Sequence, residues 1–181
     1  MTADGPAPGD ESAASRQGRR ILHAVVTGEA GARIQRWRER HDPEQARRYE
    51  PHVTLAYHVS VADLEGVGGR VQHAFGEPVE VTLGGVEVFD NPGRTAFVRV
   101  EEAGPLDHAR KRLFDGQVVA LPGGAEWRWH VTCIRSTADR SPELIEEAQR
   151  ELADLGRWRV SRVVLLELRG ERYETLVGWD V

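Results

Sequence analysis

Two copies of one short motif carry residue types suited to proton transfer. The letters PHVTL occupy residues 51–55, and the letters WHVTC occupy residues 129–133. Each copy lies in an apolar run of the kind that forms a β-strand. A single His-Val-Thr triplet is usually structural, but two copies in matched surroundings favour a shared function.

Strand periodicity predicts that each motif presents its polar residues on one face. Side chains alternate between the two faces of a sheet. His52 therefore shares a face with Thr54, and His130 shares a face with Thr132, while the valine between them points the other way. Each strand thus has an apolar core face and a second face that carries an imidazole and a hydroxyl.

These residue types suit in-line attack at phosphorus. An imidazole has an unperturbed pKa of about 6.5 and exchanges its proton near neutrality. One of a pair can act as base and the other as acid, while threonine hydroxyls donate hydrogen bonds to non-bridging oxygens. The set predicts phosphoester chemistry without a metal, and the sequence contains neither a His-Glu-x-x-His motif nor paired cysteines.

Length and composition bound the class of protein. The chain has 181 residues, of which 40% are apolar, and this is enough for one packed domain. A net charge of −5 argues against extensive nonspecific binding to a nucleic-acid backbone. Binding of a small phosphate ester or of an RNA end is still compatible with this charge. The one cysteine, Cys133, falls on the predicted core face and is expected to be a buried, inert thiol.

The hydropathy of the chain predicts a cytoplasmic protein. Residues 1–18 are rich in Gly, Pro, Ala, Ser and acidic residues, lack the apolar region of a secretory signal, and are predicted to form a disordered tail. No apolar run reaches the roughly 18 residues that a membrane span needs. We expect residues 19–181 to form a single bilobal domain that is monomeric and does not associate with membranes.

The two halves of the chain repeat the order strand, helix, motif strand, helix, strand. The predicted ranges are 21–27, 32–40, 51–58, 61–75 and 79–89 in the first half, and 95–100, 105–114, 128–134, 141–155 and 158–168 in the second. Gly84-Gly85 marks a bulge or turn in 79–89, Ser141 is the expected cap of its helix, and 158–168 is expected to pair with 173–179. The repetition predicts an α+β fold of two pseudo-symmetric lobes, whose antiparallel sheets form a central cleft with the helices outside.

The motifs resemble those of the two-histidine phosphoesterase superfamily, and most of all its RNA 2′,3′-cyclic phosphodiesterases, also called 2′-5′ RNA ligases. The paired His-x-Thr motifs lie 78 residues apart, and the resemblance covers residues 19–181. PHVTLAY matches the first family motif closely. WRWHVTCIR departs from the second, because family members often have Pro before this histidine and Leu-Ala after the threonine.

The resemblance implies a hydrolase with a V-shaped groove that uses no metal or other cofactor. Its activity would be the opening of a 2′,3′-cyclic phosphate, on an RNA end or a small cyclic nucleotide, to a 2′-phosphate, as in RNA processing. A related activity implied by the resemblance would be reversible ligation to a 2′-5′ linkage. By resemblance His130 is the base and His52 the acid, while Thr54 and Thr132 hold the non-bridging oxygens.

Four further residues are candidates for substrate contacts. Arg135 matches an arginine that the family uses on the phosphate, although strand parity requires a bulge to bring it to the histidine face. Arg128 lies on that face and is a substitute. Tyr173 resembles part of the family's C-terminal strand, and His58 ends the polar face of the first motif strand.

The remaining aromatic and basic residues have simpler interpretations. His23 lies on a core strand and is either packed or lines the cleft. Trp127, Trp129 and Tyr57 fall on the core side of their strands by parity. The surface assignments are His41, His73, His108 and the arginine-rich segment 33–48, which is read as a solvated helix face.

Two other classes of function stay open. The chain could bind RNA ends or cyclic nucleotides without turning them over, and a bound but unhydrolysed ligand would indicate this. It could instead be a metal-dependent hydrolase with histidine ligands, which chelator sensitivity would reveal. The sequence names neither the physiological substrate nor the direction of the reaction.

Overall fold

The computed structural model describes residues 19–57, 59, 64–114, 127–137, 140–170 and 172–181. The predicted tail, residues 1–18, lies outside this part of the chain. The elements in chain order are β1 (Arg20–Val25), α1 (Gly28–His41), α2 (Pro43–Arg48), β2 (His52–Ala56), α3 (Leu64–Ala74), β3 (Glu80–Val88), β4 (Ala96–Glu101), α4 (Gly104–Leu113), β5 (His130–Ile134), α5 (Pro142–Glu151), β6 (Gly156–Arg159), β7 (Arg162–Arg169) and β8 (Arg172–Asp180).

The eight strands form one antiparallel sheet with the order β6-β3-β4-β5-β2-β1-β7-β8. The motif strands β2 and β5 are the two central strands, and they are joined where Val53 pairs with Val131. Each motif strand is followed outward by three more strands. The α+β class and the two matched halves, each with one motif histidine, are therefore confirmed.

The halves of the sheet are not the halves of the sequence. The order of elements predicted that β3 belongs with β2, but β3 pairs with β4 on the β5 side. β7 lies beside β1 instead. β1 and β7 are buried along nearly their whole length, which is typical of strands inside a sheet, and each has a hydrogen-bonded neighbour on both sides.

The strand pairing also shows how the predicted ranges 79–89 and 158–168 fold. The range 79–89 is one bent strand, whose register shifts between Leu83 and Val86 at the predicted glycine bulge. The range 158–168 is two strands, because β6 closes the far edge of the sheet beside β3. β7 then turns at Gly170, whose φ of 61° favours glycine, into β8.

The main core lies between the sheet and the helices. Ile34 and Trp37 of α1 and Leu106 of α4 are fully buried in it. The last predicted helix, α5, ends at Glu151 rather than at residue 155. Ser141 is its N-cap residue, as predicted, but the Ser141 side chain makes no capping hydrogen bond. None of the helices formed by the described residues is long and apolar enough to cross a bilayer.

Candidate active site

The two motifs lie side by side in the middle of the sheet. Continuing the register of Val53 opposite Val131 puts His52 across from Thr132 and Thr54 across from His130. The valines are fully buried, whereas the histidines and threonines are only partly buried. Side chains directly opposite lie about 5 Å apart and diagonal ones roughly 7–8 Å apart. The two histidines are therefore diagonal neighbours on this face, and we call the space between their imidazoles the gap.

Both motif strands contain the same irregularity one residue after the threonine. On β5, Thr132 pairs with Phe97 and Ile134 pairs with Ala96, which leaves Cys133 as an extra residue. Cys133 and Ile134 are consequently both buried, and the side-chain alternation restarts at Arg135. Burial raises the pKa of the Cys133 thiol to about 12, in agreement with the predicted inert thiol.

The bulge brings Arg135 to the histidine face, as the sequence required. Burial raises the pKa of Tyr49, and the positive charge of Arg135 opposes this rise. The same charge adds to the effect of burial in lowering the pKa of His52, so the guanidinium of Arg135 lies near both side chains. Its backbone N–H donates to Oδ2 of Asp42 at 2.8 Å, and Oδ1 of Asp42 accepts from Gln45 at the start of α2. One carboxylate thus ties α2 to the end of the second motif strand.

The matching bulge on β2 corrects the prediction for Tyr57. Thr54 pairs with His23 and Ala56 pairs with Leu22, so Leu55 is the extra residue. Tyr57 is then 38% exposed rather than packed in the core. Its ring lies 5.9 Å from that of Trp127, at the opposite end of the motif strands from Arg135.

The two histidines are held by equivalent hydrogen bonds. Nδ1 of His52 lies 2.7 Å from the carbonyl oxygen of Glu50, and Nδ1 of His130 lies 2.8 Å from that of Arg128. Because a carbonyl only accepts, each Nδ1 must carry the proton that is donated. Each neutral ring therefore leaves the lone pair of Nε2 free to accept a proton, and each protonated ring can donate from Nε2.

The ring behind each histidine differs between the halves. His23 and Phe97 are counterparts, since they pair with Thr54 and Thr132 respectively. His23 is 3% exposed and stacks flat on His52, with ring centroids 3.6 Å apart and an interplanar angle of 6°. Phe97 instead meets His130 edge to face at 5.5 Å. His23, for which the sequence left two interpretations, is both packed and part of the cleft.

Burial makes all three of these imidazoles harder to protonate. It lowers the pKa of His52 to about 4, assisted by the charges of Arg38, His130 and Arg135 and opposed by the bond to Glu50. Burial also lowers the pKa of His130. It lowers the pKa of His23 well below the ordinary value, and a charge on His52 lowers it further. This shift favours the neutral form of His52 at pH 7.

Replacing His23 by Phe, the residue found at the matching position of the other half, should make the protein more resistant to acid. The unfolded chain binds a proton at His23 as the pH falls through about 6.5, but the folded chain does not, so folding stability is lost from that pH downward. Between pH 7 and 5 this loss is at most about 2 kcal/mol. Urea unfolding at both pH values should give a smaller decrease for His23→Phe.

The exposed His73 on α3 supplies the control for that measurement. His73→Phe changes the same residue types in solvent and should keep the wild-type decrease. An equal decrease for His23→Phe and wild type would show that His23 is readily protonated in the folded protein.

Arg128 and Arg135, the two predicted phosphate-binding arginines, differ in whether a carboxylate already occupies the guanidinium group. Arg128 is ion-paired with Glu87 and stacks over the Phe97 ring at 4.8 Å. The guanidinium of Arg135 is exposed and has no carboxylate partner among the described residues. Arg135 is therefore the better placed of the two to bind an anion.

A pocket of about 230 Å³ opens beside His52. The Tyr173 ring lies 5.5 Å from that of Tyr49 in its wall, and His23 also lines it. His58 lies outside the described residues. A wider depression of about 620 Å³ between α1 and α5 is lined by neither motif and has no part in this site.

Sequence reasoning missed Tyr49, Asp42 and the short helix α2. The Asp42-Pro43 pair is a helix-start signal, with a capping residue before a proline at the first position, and would have revealed α2.

Trp129 is buried, as predicted, and its Nε1–H donates to Asp107 at 2.8 Å. Trp127 is only partly buried, with the Arg110 guanidinium 4.2 Å above its ring.

The family of the protein follows from a match to the model of the 2′-5′ RNA ligase superfamily over residues 27–172. The chain belongs to this superfamily, and membership indicates an enzyme of the phosphoesterase or RNA-ligase type, acting on a phosphodiester or a cyclic phosphate. The resemblance that the motifs suggested is confirmed. No curated protein matches the sequence.

Solved structures share the fold at low sequence identity. A protein described as a phosphoesterase has a TM-score of 0.60 and 16% identity, over 91% of this chain and 98% of that one. The E. coli protein LigT in complex with 3′-AMP gives 0.56 and 17%, with the same coverages. LigT in complex with ATP gives 0.57 and 18%, over 92% of this chain and 98% of that one.

Proposed function

We propose that this protein is a metal-independent phosphoesterase that opens a ribose 2′,3′-cyclic phosphate to a 2′-phosphate. The same ring opening, with a 5′-hydroxyl attacking phosphorus in place of water, would join two ends through a 2′-5′ linkage. The observation that carries the proposal is the matched pair of imidazoles, each with Nδ1 bonded to a carbonyl and Nε2 free, on either side of one gap. Two threonine hydroxyls lie beside them on the same face.

In the proposed reaction, Nε2 of His130 takes a proton from water as the water oxygen attacks phosphorus. The bond between phosphorus and the 3′ oxygen breaks, and Nε2–H of His52 gives its proton to that oxygen. The products are a 2′-phosphate and a 3′-hydroxyl, and proton exchange with solvent resets the histidines. Both steps are general acid–base catalysis.

Three side chains would stabilise the phosphorane-like charge. Thr54 and Thr132 would donate hydrogen bonds to the non-bridging oxygens, and Arg135 would add a positive charge at the same place. The phosphate anion would also favour the protonated form of His52, because an opposite charge nearby raises the pKa of an imidazole. This offsets the burial that favours the neutral form of His52.

The chemistry of these groups supports a mechanism without a metal. Nδ1 of each motif histidine is already committed to a carbonyl oxygen. Among the residues that the structure describes, no three His, Cys, Asp or Glu side chains are grouped so that they could hold a metal ion. LigT has been crystallised with 3′-AMP and with ATP, which shows that a protein of this fold accepts nucleotides.

A substrate panel with EDTA present tests the proposal. We expect 2′,3′-cyclic mononucleotides or RNA ends with a terminal 2′,3′-cyclic phosphate to be opened, with the 2′-phosphate isomer as the product in phosphorus NMR. Loss of turnover in EDTA, restored by a divalent cation, would instead indicate a metal-dependent hydrolase. Binding of these ligands without any turnover would indicate a binding module.

A further inference from the structure

The two cleft faces beside the histidines have opposite chemical character. On the β5 side, Arg99 lies across from His130 and joins Glu87, Glu101 and Arg128 in a network of ion pairs. This surface is already neutralised by its own charges. The partly buried Phe89 ring, which contacts His130 edge to face at 4.9 Å, also lies on this side, with the Arg128 guanidinium 5.7 Å from its centroid.

The cleft face on the β2 side is apolar and aromatic. A small second core of four residues lies there, apart from the main core, and Tyr173 packs against it; its members are Ile21, Val25, Val164 and Leu166. The 230 Å³ pocket opens onto this surface next to His52. Sites for drug-sized ligands typically measure roughly 300–1,000 Å³, so this pocket fits a single nucleoside rather than a dinucleotide.

Aromatic walls give the pocket a means of holding a base. The Tyr49 and Tyr173 rings are tilted by 43° with centroids 5.5 Å apart, and Tyr49 also contacts His52 edge to face at 5.6 Å. Stacking on such rings is worth about 1–3 kcal/mol per base and tolerates any base. A nucleoside held here would have its ribose beside His52.

The rim of the pocket carries one cation that is not neutralised. Arg48 is ion-paired with Glu44, and Glu50 is ion-paired with Arg162 at 3.4 Å. Arg47 lines the pocket, is exposed, and has no carboxylate partner among the described residues. A second phosphate of the ligand, in addition to the one between the histidines, would find its countercharge at Arg47.

We propose that this pocket binds the nucleoside of a substrate that is phosphorylated on its 5′ oxygen, with Arg47 paired to that 5′ phosphate. The substrate class is a 5′-phosphorylated ribonucleotide ending in a 2′,3′-cyclic phosphate, as at the 3′ end of an RNA. A nucleoside 2′,3′-cyclic monophosphate, which lacks the 5′ phosphate, is a poorer substrate. The inference rests on the proposed function for the position of the cyclic phosphate.

Three substrates that share one base test this assignment. They are the nucleoside 2′,3′-cyclic monophosphate, the same compound with a 5′ phosphate, and a short RNA with a terminal 2′,3′-cyclic phosphate. A charge-assisted contact predicts kcat/KM roughly tenfold higher for the two 5′-phosphorylated substrates. Arg47→Ala should bring this ratio close to one, and Arg47→Glu should lower it further. Preference for the RNA over the 5′-phosphorylated mononucleotide would identify a polymer end as the source of the phosphate.

Arg36 provides the matched control. It is an exposed arginine of α1, ion-paired with Glu29 away from the pocket, and Arg36→Ala should keep the wild-type ratio. Equal kcat/KM values for all three substrates, or a ratio unchanged in Arg47→Ala, would overturn the pocket assignment and leave the phosphoesterase proposal standing.

If no substrate of the three is turned over, the proposed function fails and binding decides the role of the pocket. Calorimetric Kd values for a nucleoside 2′-monophosphate and a nucleoside 2′,5′-bisphosphate should then differ roughly tenfold in wild type and converge in Arg47→Ala. Equal values in wild type would overturn the inference.

Discussion

His52→Ala and His130→Ala should each reduce kcat for a nucleoside 2′,3′-cyclic phosphate by about 10²–10⁴. Each substitution removes the one Nε2 atom that can exchange a proton on its side of the gap, and neither half of the site offers a replacement. Because His23 is buried behind His52, it cannot reach the reacting phosphate in its place. Steady-state hydrolysis, followed by separation of the cyclic and opened nucleotides, measures the effect.

The two variants need a control for loss of folding. His73→Ala on the exposed face of α3 should retain wild-type kcat, and circular dichroism should show the same thermal transition for wild type and both motif variants. Wild-type activity in His52→Ala or His130→Ala would rule out the proposed proton transfers. A loss that is confined to KM would assign the histidines to binding alone.

The repeated motif made the centre of the fold predictable. Period-two alternation was enough to place His52 with Thr54 and His130 with Thr132 on one face, and the order of elements was enough to predict two matched halves. The exchange of β3 and β7 between those halves could not be predicted from the sequence, because the order of strands along the chain does not determine which strands pair. That choice depends on burial on both faces of β1 and β7, which is a property of the assembled sheet.

A β-bulge of the same form in each motif strand explains two outcomes. It brings Arg135 to the histidine face, as expected, and it exposes Tyr57, for which the sequence predicted a core position. Strict alternation put both side chains on the core face, and the family motif was the reason to expect a bulge before Arg135. The bulge at Leu55 has the same form, but no comparable expectation was attached to Tyr57. Parity is reliable only up to the first extra residue in a strand.

The environment of His52 could not be derived from the motif. The flat stack with His23 and the contact with Tyr49 arise from strand pairing and from the turn that follows α2. Tyr49 lies close to the motif in sequence, but its contact with Tyr173 joins segments far apart in the chain. Such contacts decide the protonation behaviour of the site, and they appear only once the sheet is assembled.

Two physical features of His52 favour opposite catalytic roles. Burial lowers its pKa to about 4, and a low pKa alone would suit a base. Its position beside the proposed nucleoside pocket suits an acid, because the leaving 3′ oxygen belongs to the ribose held there. We expect His52 to act as the acid in spite of its low pKa, since a bound phosphate anion between the rings stabilises the imidazolium form.

A substrate with sulfur in place of the 3′ oxygen should therefore rescue His52→Ala and not His130→Ala. A thiol has a pKa of about 8.5, so a thiolate departs near neutrality without a proton from an acid. With this substrate His52→Ala should come within about tenfold of wild type, while His130→Ala, which lacks the base, should remain about 10²–10⁴ below it. The released 3′-thiol can be followed with an aromatic disulfide reagent.

The pattern of rescue tests which histidine is the acid and which is the base. Rescue of His130→Ala alone would make His130 the acid and place the leaving oxygen on the β5 side of the gap, away from the pocket at Tyr49. Rescue of both variants, or of neither, would mean that the two imidazoles do not divide the proton transfers between them. The rescue of His52→Ala alone requires that Nε2 of His52 faces the ribose, and this orientation places the base of the substrate against the tyrosines of the β2 side.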